Sequence, residues 1–344
     1  MKDSQNCGAC GVDCALGECT GGVCTPISTA LELPAGQVAS FGELVFVAMG
    51  DTKSGKLAAY PVEFTSPPTP AFIEQDVCDA AGFLSVGPKR VYYRPQNGPI
   101  DGVFGNPNLC GADHFVYSCD ATPSCVKTTH TLPVHMNGVA VVENKDFYFT
   151  LPTDNNEMHK TTLTPDGVPS VAESPILQVP SMEGMKSTAF LLSYDPNRKA
   201  LWWTTYDGCI FRAAITELPL MMTAPCYAKT VPSPRLLVIT KNDKFYVGGV
   251  TSGIYAFDPA EVAAPAPSFG APELILLGAD NDYVYAFEGG ANPSLVALRH
   301  GSAEERTRIS LPGAMRVDGL DALHSKYVFF TAGGLLYRWR RPVP

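Results

Sequence analysis

Short aromatic and apolar runs recur seven times along the chain with polar, turn-rich stretches between them. The cores are Val45-Phe46-Val47, Val91-Tyr92-Tyr93, Phe147-Tyr148-Phe149, Leu201-Trp202-Trp203, Phe245-Tyr246-Val247, Val284-Tyr285-Ala286 and Val328-Phe329-Phe330. Their middle residues lie 46, 56, 54, 44, 39 and 44 residues apart. Repeats of this length built from strands predict an all-β fold, a β-propeller of four-stranded blades around a central axis. A propeller fixes architecture and names no chemistry.

Each core is followed by a Gly/Asp/Asn-rich turn and a further alternating run, as in Gly208–Ala213, Gly253–Phe257, Gly334–Arg338 and, less regularly, Lys56–Tyr60. Such period-2 runs bounded by turn residues are hairpin signals. A closing strand is expected at Phe72–Gln75, His130–Pro133, Leu177–Pro180, Lys229–Pro232, Leu274–Leu277 and Ile309–Pro312. The seventh unit has none, and Leu31-Glu32-Leu33-Pro34 near the N-terminus carries the closing pattern. Pairing of that segment with Leu335–Trp339 would close a seven-bladed ring, whereas an open ring leaves a blade edge free to pair with another chain. The alternative is six blades plus an irregular cap, because the unit around Tyr285 rests on one alternating run.

Gly 31 and Pro 30 are spread as turn punctuation, and no linker divides the chain after residue 30. The expected domains are a disulfide-rich spacer at 1–26 and a propeller at 27–344. A net charge of -9 argues against a nucleic-acid partner, since such surfaces are basic. Arg338, Arg340 and Arg341 read as a solvated last strand.

Five of the eleven cysteines fall in one short segment as Cys7, Cys10, Cys14, Cys19 and Cys24. So small a segment cannot bury an apolar core, and cross-links are the usual substitute. A zinc site competes with this reading, because Cys7 and Cys10 have a metal-ligand spacing, but the pattern contains no His and runs past four ligands. Of the remaining six, Cys119 and Cys125 flank a five-residue turn that brings them within disulfide reach. Cys78 and Cys110 are expected on one propeller face, and Cys209 and Cys226 pair by elimination. Disulfides place the chain in an oxidising compartment, secreted or at the cell surface.

Asn6-Cys7-Gly8-Ala9-Cys10-Gly11-Val12-Asp13-Cys14, with Gly17-Glu18-Cys19 and Gly22-Val23-Cys24, resembles the NCGxCGxxC module of secreted and lipid-anchored surface proteins of myxobacteria. That family usually has a further upstream Cys, absent here, as expected if Met1 is an artificial or internal start. The resemblance implies that any membrane attachment runs through an N-terminal lipid anchor missing from this chain. More loosely, Ala200–Ala213 is similar to the strand-turn-strand signature of YWTD-type propellers, and Asp146–Thr150 echoes its first half. Those family propellers have six blades and repeat the motif more faithfully, so the resemblance implies blade geometry and an extracellular context without a particular ligand.

Common catalytic motifs are missing: no Gly-x-Ser-x-Gly, His-Glu-x-x-His or P-loop sequence is present. The candidate site is a ring of polar residues on loops at the channel mouth, because loops on a rigid scaffold are where propellers bind ligands. It comprises His135, Asn137, Glu183, Arg235, Asp280, Asp282, Arg316 and Asp318, with Asp154, Asn155, Tyr206 and Asp207 from hairpin turns. Asp and Asn also serve turns by capping backbone groups, whereas Arg235 and Arg316 precede innermost strands and are not turn formers. The expectation is a non-enzymatic propeller binding a protein or glycan, with no cofactor. The alternative is a secreted propeller enzyme, a lactonase or lyase, with Ca²⁺ or another divalent ion at the channel mouth.

Overall fold

The computed structural model describes residues 19–20, 23–50, 55–64, 69–77, 84–87, 89–93, 115–120, 122–131, 139–143, 145–150, 157–178, 189–205, 208–218, 228–229, 234–249, 253–257 and 268–342. Strands β1 (Cys19–Thr20) and β2 (Val23–Cys24) form a small antiparallel pair, followed by β3 (Ile27–Ala30). Next come β4 (Ala35–Phe41), β5 (Leu44–Gly50), β6 (Gly55–Pro61) and β7 (Phe72–Val77), which make the first four-stranded sheet. The second sheet is β8 (Leu84–Val86), β9 (Arg90–Tyr93), β10 (Phe115–Asp120) and β11 (Lys127–Thr131), and the third is β12 (Val139–Val142), β13 (Asp146–Thr150), β14 (Glu157–Leu163) and β15 (Pro169–Gln178). The fourth is β16 (Ala189–Asp195), β17 (Ala200–Thr205), β18 (Cys209–Ala214) and β19 (Ala228–Lys229), and the fifth is β20 (Pro234–Ile239), β21 (Phe245–Gly249), β22 (Ile254–Phe257) and β23 (Ser268–Phe269). The sixth is β24 (Leu274–Ala279), β25 (Tyr283–Glu288), β26 (Ser294–Arg299) and β27 (Glu305–Ser310). A further sheet joins β28 (Val317–Asp321), β29 (Tyr327–Ala332) and β30 (Leu335–Arg340) to β3 from the other end of the chain.

This is a β-propeller, and the cadence read from the sequence is its second strands. All seven middle residues, Phe46, Tyr92, Tyr148, Trp202, Tyr246, Tyr285 and Phe329, are buried. A second strand is covered on both faces by neighbouring sheets, so both sets of alternating side chains must be apolar. In β5, Val45, Val47 and Met49 pack with Tyr327, Phe329 and Leu336 of the seventh sheet, while Leu44, Phe46 and Ala48 pack with Val91, Cys119 and Cys125 of the second. Likewise Trp203 joins Tyr148 and Met158 on one side of β17, and Trp202 joins Phe245 and Val247 on the other. The cores therefore lie between sheets rather than within any one of them.

Two strand assignments differ from the expectation. Leu274–Leu277 is not a closing strand: it opens the sixth sheet, and the fifth ends on the two-residue Ser268–Phe269 pair. An alternating apolar run suits an innermost strand as well as an outer one, so the pattern alone could not separate them. At the N-terminus the strand paired with β30 is Ile27–Ala30, in the register Ile27 to Arg338 and Ala30 to Leu335, with the Leu31 amide donating to the Gly334 carbonyl at 2.9 Å. Leu31 and Leu33 instead pack under the cluster shared by the first and seventh sheets.

First strands of successive sheets lie side by side, and β28 packs against β4. Gly319 sets that last approach. A Cβ there would stand 2.5 Å from the Gly36 carbonyl oxygen and 2.9 Å from Gln37 Cα, both backbone atoms that cannot rotate away. Gly319→Ala is expected to cost about 1–3 kcal/mol by overpacking. Urea unfolding measures it, and a loss under about 0.5 kcal/mol would mean the two strands part freely.

Candidate functional site

Antiparallel order divides the connections between two faces. First-to-second and third-to-fourth connections open on one, called here the turn face. Second-to-third turns and the links between sheets open on the other, the loop face. Of the channel-mouth ring predicted from sequence, the described members divide between the faces: Arg235, Arg316 and Asp318 at the loop face and Asp280 and Asp282 at the turn face. His135, Asn137, Asp154, Asn155, Glu183, Tyr206 and Asp207 lie outside the described residues, as do Cys7, Cys10, Cys14, Cys78, Cys110 and Cys226. Arg235 lies on β20 at an irregularity between the Pro234 and Leu236 pairings.

Arg316 and Asp318 are together on the loop face. The turn Leu311–Arg316 brings the chain from the outer strand β27 to the inner strand β28. Arg316 Nε donates to Asp318 Oδ1 at 2.5 Å; the arginine side chain is 80% exposed and the aspartate 13%. Burial raises the Asp318 carboxyl above the usual carboxylate range, and the adjacent guanidinium pulls it back. The aspartate thus fixes one edge of a guanidinium whose other edge faces solvent. Next to it, Met315 is 93% exposed. The strand itself is anchored below, because neighbouring Ala314 and Val317 are buried in the cluster between the sixth and seventh sheets.

Asp280 and Asp282 sit on the turn face, at the opposite end of their sheet from that loop. Asp280 Oδ1 accepts the amides of Asp282 and Tyr283, each at 2.8 Å, and Oδ2 accepts the Tyr285 hydroxyl at 2.6 Å. Arg341 Nε stands 3.4 Å from Oδ2. Burial of the Tyr285 hydroxyl, and then the adjacent Asp280 carboxylate, push its pKa well up. Asp195 and Asp321 repeat the arrangement in the fourth and seventh sheets: Asp195 Oδ1 accepts the Asn197 amide at 2.9 Å and Asp321 Oδ1 the Leu323 amide at 2.8 Å. Three innermost strands thus end on a buried aspartate that folds the following turn. Asp321 also accepts the Ser40 amide, tying the seventh sheet to the first.

Beside Asp280 lies an open recess of about 350 Å³ lined by Asn281, Asp282, Tyr283, Arg299 and His300. His300 Nε2 is 2.9 Å from the Asp280 carbonyl oxygen, which can only accept, so Nε2 carries the proton. Nδ1 then accepts the Tyr246 hydroxyl at 2.6 Å, from the fifth sheet. Burial lowers the His300 pKa, outweighing Asp280 and Asp282, and keeps the ring neutral. Sequence reading missed Asn281, Arg299 and His300 as neighbours; the signal was the Asp280-Asn281-Asp282 turn, repeated as Asp195-Pro196-Asn197.

Cys119 and Cys125 are joined in a disulfide, and Cys19, Cys24 and Cys209 are each disulfide-bonded. Cys19 and Cys24 are therefore not zinc thiolates. Among the described residues no three His, Cys, Asp or Glu side chains gather as a metal site, and no helix is long and apolar enough to cross a membrane.

No family model matches the chain, and no curated protein does. Among solved structures, the β-propeller domain of Myceliophteria thermophila Cps50 (Swd1) is similar with a TM-score of 0.62 at 12% identity, over 93% of this chain and 99% of that one. BamB from Moraxella catarrhalis is matched with a TM-score of 0.49 at 12% identity, over 88% of this chain and 81% of that one. At 12% identity the likeness to the Cps50 domain speaks for the propeller fold alone.

Proposed function

We propose that the chain is a non-enzymatic propeller of seven blades, closed by β3, that binds a protein partner through its loop face in an oxidising compartment. The cysteine-rich segment before it acts as a spacer from a surface anchor. The observation that carries the reading is the pair Met315 and Arg316, 93% exposed and 80% exposed at the side chain, beside the innermost strand of the last sheet. Met and Arg are enriched in protein interfaces, the first because it adapts to irregular surfaces and the second because it forms planar bidentate contacts. Asp318 holds the guanidinium in place, which reduces the entropy lost when a partner engages it. The disulfide Cys119–Cys125 supports the compartment.

The test uses the immobilised chain against the cell-envelope and secreted fractions of its source cells. Wild type is expected to retain a specific protein, and a Met315→Asp, Arg316→Glu variant of unchanged melting temperature to retain it at least about tenfold less. Equal retention by the variant overturns the reading, and loss of retention after glycosidase treatment of the fraction moves it to a glycan.

A further inference from the structure

Among the described residues, several charges on the turn face pair with one another across sheets. Arg198 Nη1 lies 3.2 Å from Asp195 and 2.9 Å from Asp243, linking the fourth and fifth sheets, and Lys199 lies 3.8 Å from Glu143 of the third. Arg338 Nη1 lies 3.1 Å from Glu63, joining the seventh sheet to the first. In the turn of the sixth sheet two opposite charges are left over. Asp282 and Arg299 both line its recess, both residues are exposed, and among the described residues neither side chain makes an ion pair or hydrogen bond. Among the described residues the Asn281 side-chain amide is open in the same way, while the Asn281 backbone carbonyl accepts Asn242 Nδ2 at 2.7 Å.

The walls behind these groups are held by burial and hydrogen bonds. Tyr283 is buried with its amide on Asp280, and both nitrogens of the His300 ring are engaged. A volume of about 350 Å³ is at the small end for ligand pockets, which start near 300 Å³. Opposite charges facing one space select the ligand. An anion drawn to Arg299 meets the field of Asp282, and a cation drawn to Asp282 meets that of Arg299. A molecule carrying both charges satisfies both.

We propose that this recess binds a small zwitterion of the α-amino acid class, its carboxylate on Arg299 and its ammonium on Asp282, with the Asn281 amide as a further hydrogen-bonding group. The site is on the opposite face from Met315 and Arg316, so it stands or falls separately from the protein-binding reading.

The probes are alanine, acetate and methylamine, titrated into the full chain at neutral pH while the backbone amide resonances of Asn281, Asp282 and His300 are followed. Alanine is expected to give saturable shifts with a dissociation constant of about 1 mM, and acetate and methylamine to bind at least about tenfold more weakly. Asp282→Asn and Arg299→Gln should each weaken alanine binding about tenfold or more with no change in melting temperature, since neither side chain holds the fold. Absence of saturation by about 50 mM alanine, acetate binding as tightly as alanine, or undiminished binding by either variant overturns the proposal.

Discussion

A chain lacking residues 1–30 is expected to lose most of its stability and to self-associate. Ile27–Ala30 supplies the outer partner of β30, and the Leu31 amide continues that ladder to Gly334. Each backbone hydrogen bond contributes about 1 kcal/mol net. The strand also covers Leu336, which is wholly buried, and Arg338, whose guanidinium lies over the rings of Phe64 and Tyr327 at 5.3 and 5.0 Å. Together the loss is roughly 4–6 kcal/mol, comparable with the whole stability of many domains. The freed edge of β30 would then recruit another chain. Size-exclusion chromatography and thermal unfolding read both effects, and a peptide spanning residues 25–34 should restore the monomer. A truncated chain that stays monomeric with unchanged melting would show that β3 does not close the ring.

Asp280→Ala carries the second largest expected effect, about 3–5 kcal/mol of destabilisation. It removes the acceptor of two turn amides and of a buried tyrosine hydroxyl, and leaves Arg341 Nε without the carboxylate 3.4 Å away. Asp280→Asn keeps one oxygen for the turn and should cost less than half as much. Urea unfolding at neutral pH separates the two. A loss under about 1 kcal/mol for the alanine variant would mean that this carboxylate does not hold the turn.

The blades were legible because second strands are squeezed between sheets. Trp202 and Trp203 point to opposite neighbours and both had to be large and apolar, so the residue pattern and the packing say the same thing. The outer strands were less legible. Ser268–Phe269 is only a two-residue strand, and Leu274–Ala279 alternates like an outer strand while packing as an inner one. The N-terminal partner was misplaced by a few residues because Leu31-Glu32-Leu33 has the expected alternation, yet its leucines turn inward after the pairing has ended.

For the site, the sequence showed which residue types sit at turns and could not show which face each turn joins. Asp280 and Asp318 look alike in sequence; one caps a turn and the other orients an arginine at the opposite end of the propeller. His300 was one histidine among six, and only the structure sets it between Tyr246 and the Asp280 carbonyl.

The most direct test of the loop-face claim is oxidative labelling of methionines in the free chain and in its complex with the captured partner, read by mass spectrometry. Met315 is expected to be labelled readily when free and several-fold more slowly in the complex, while Met49 and Met158, both buried, stay unlabelled throughout. Equal labelling of Met315 in the free and bound chain would contradict the account.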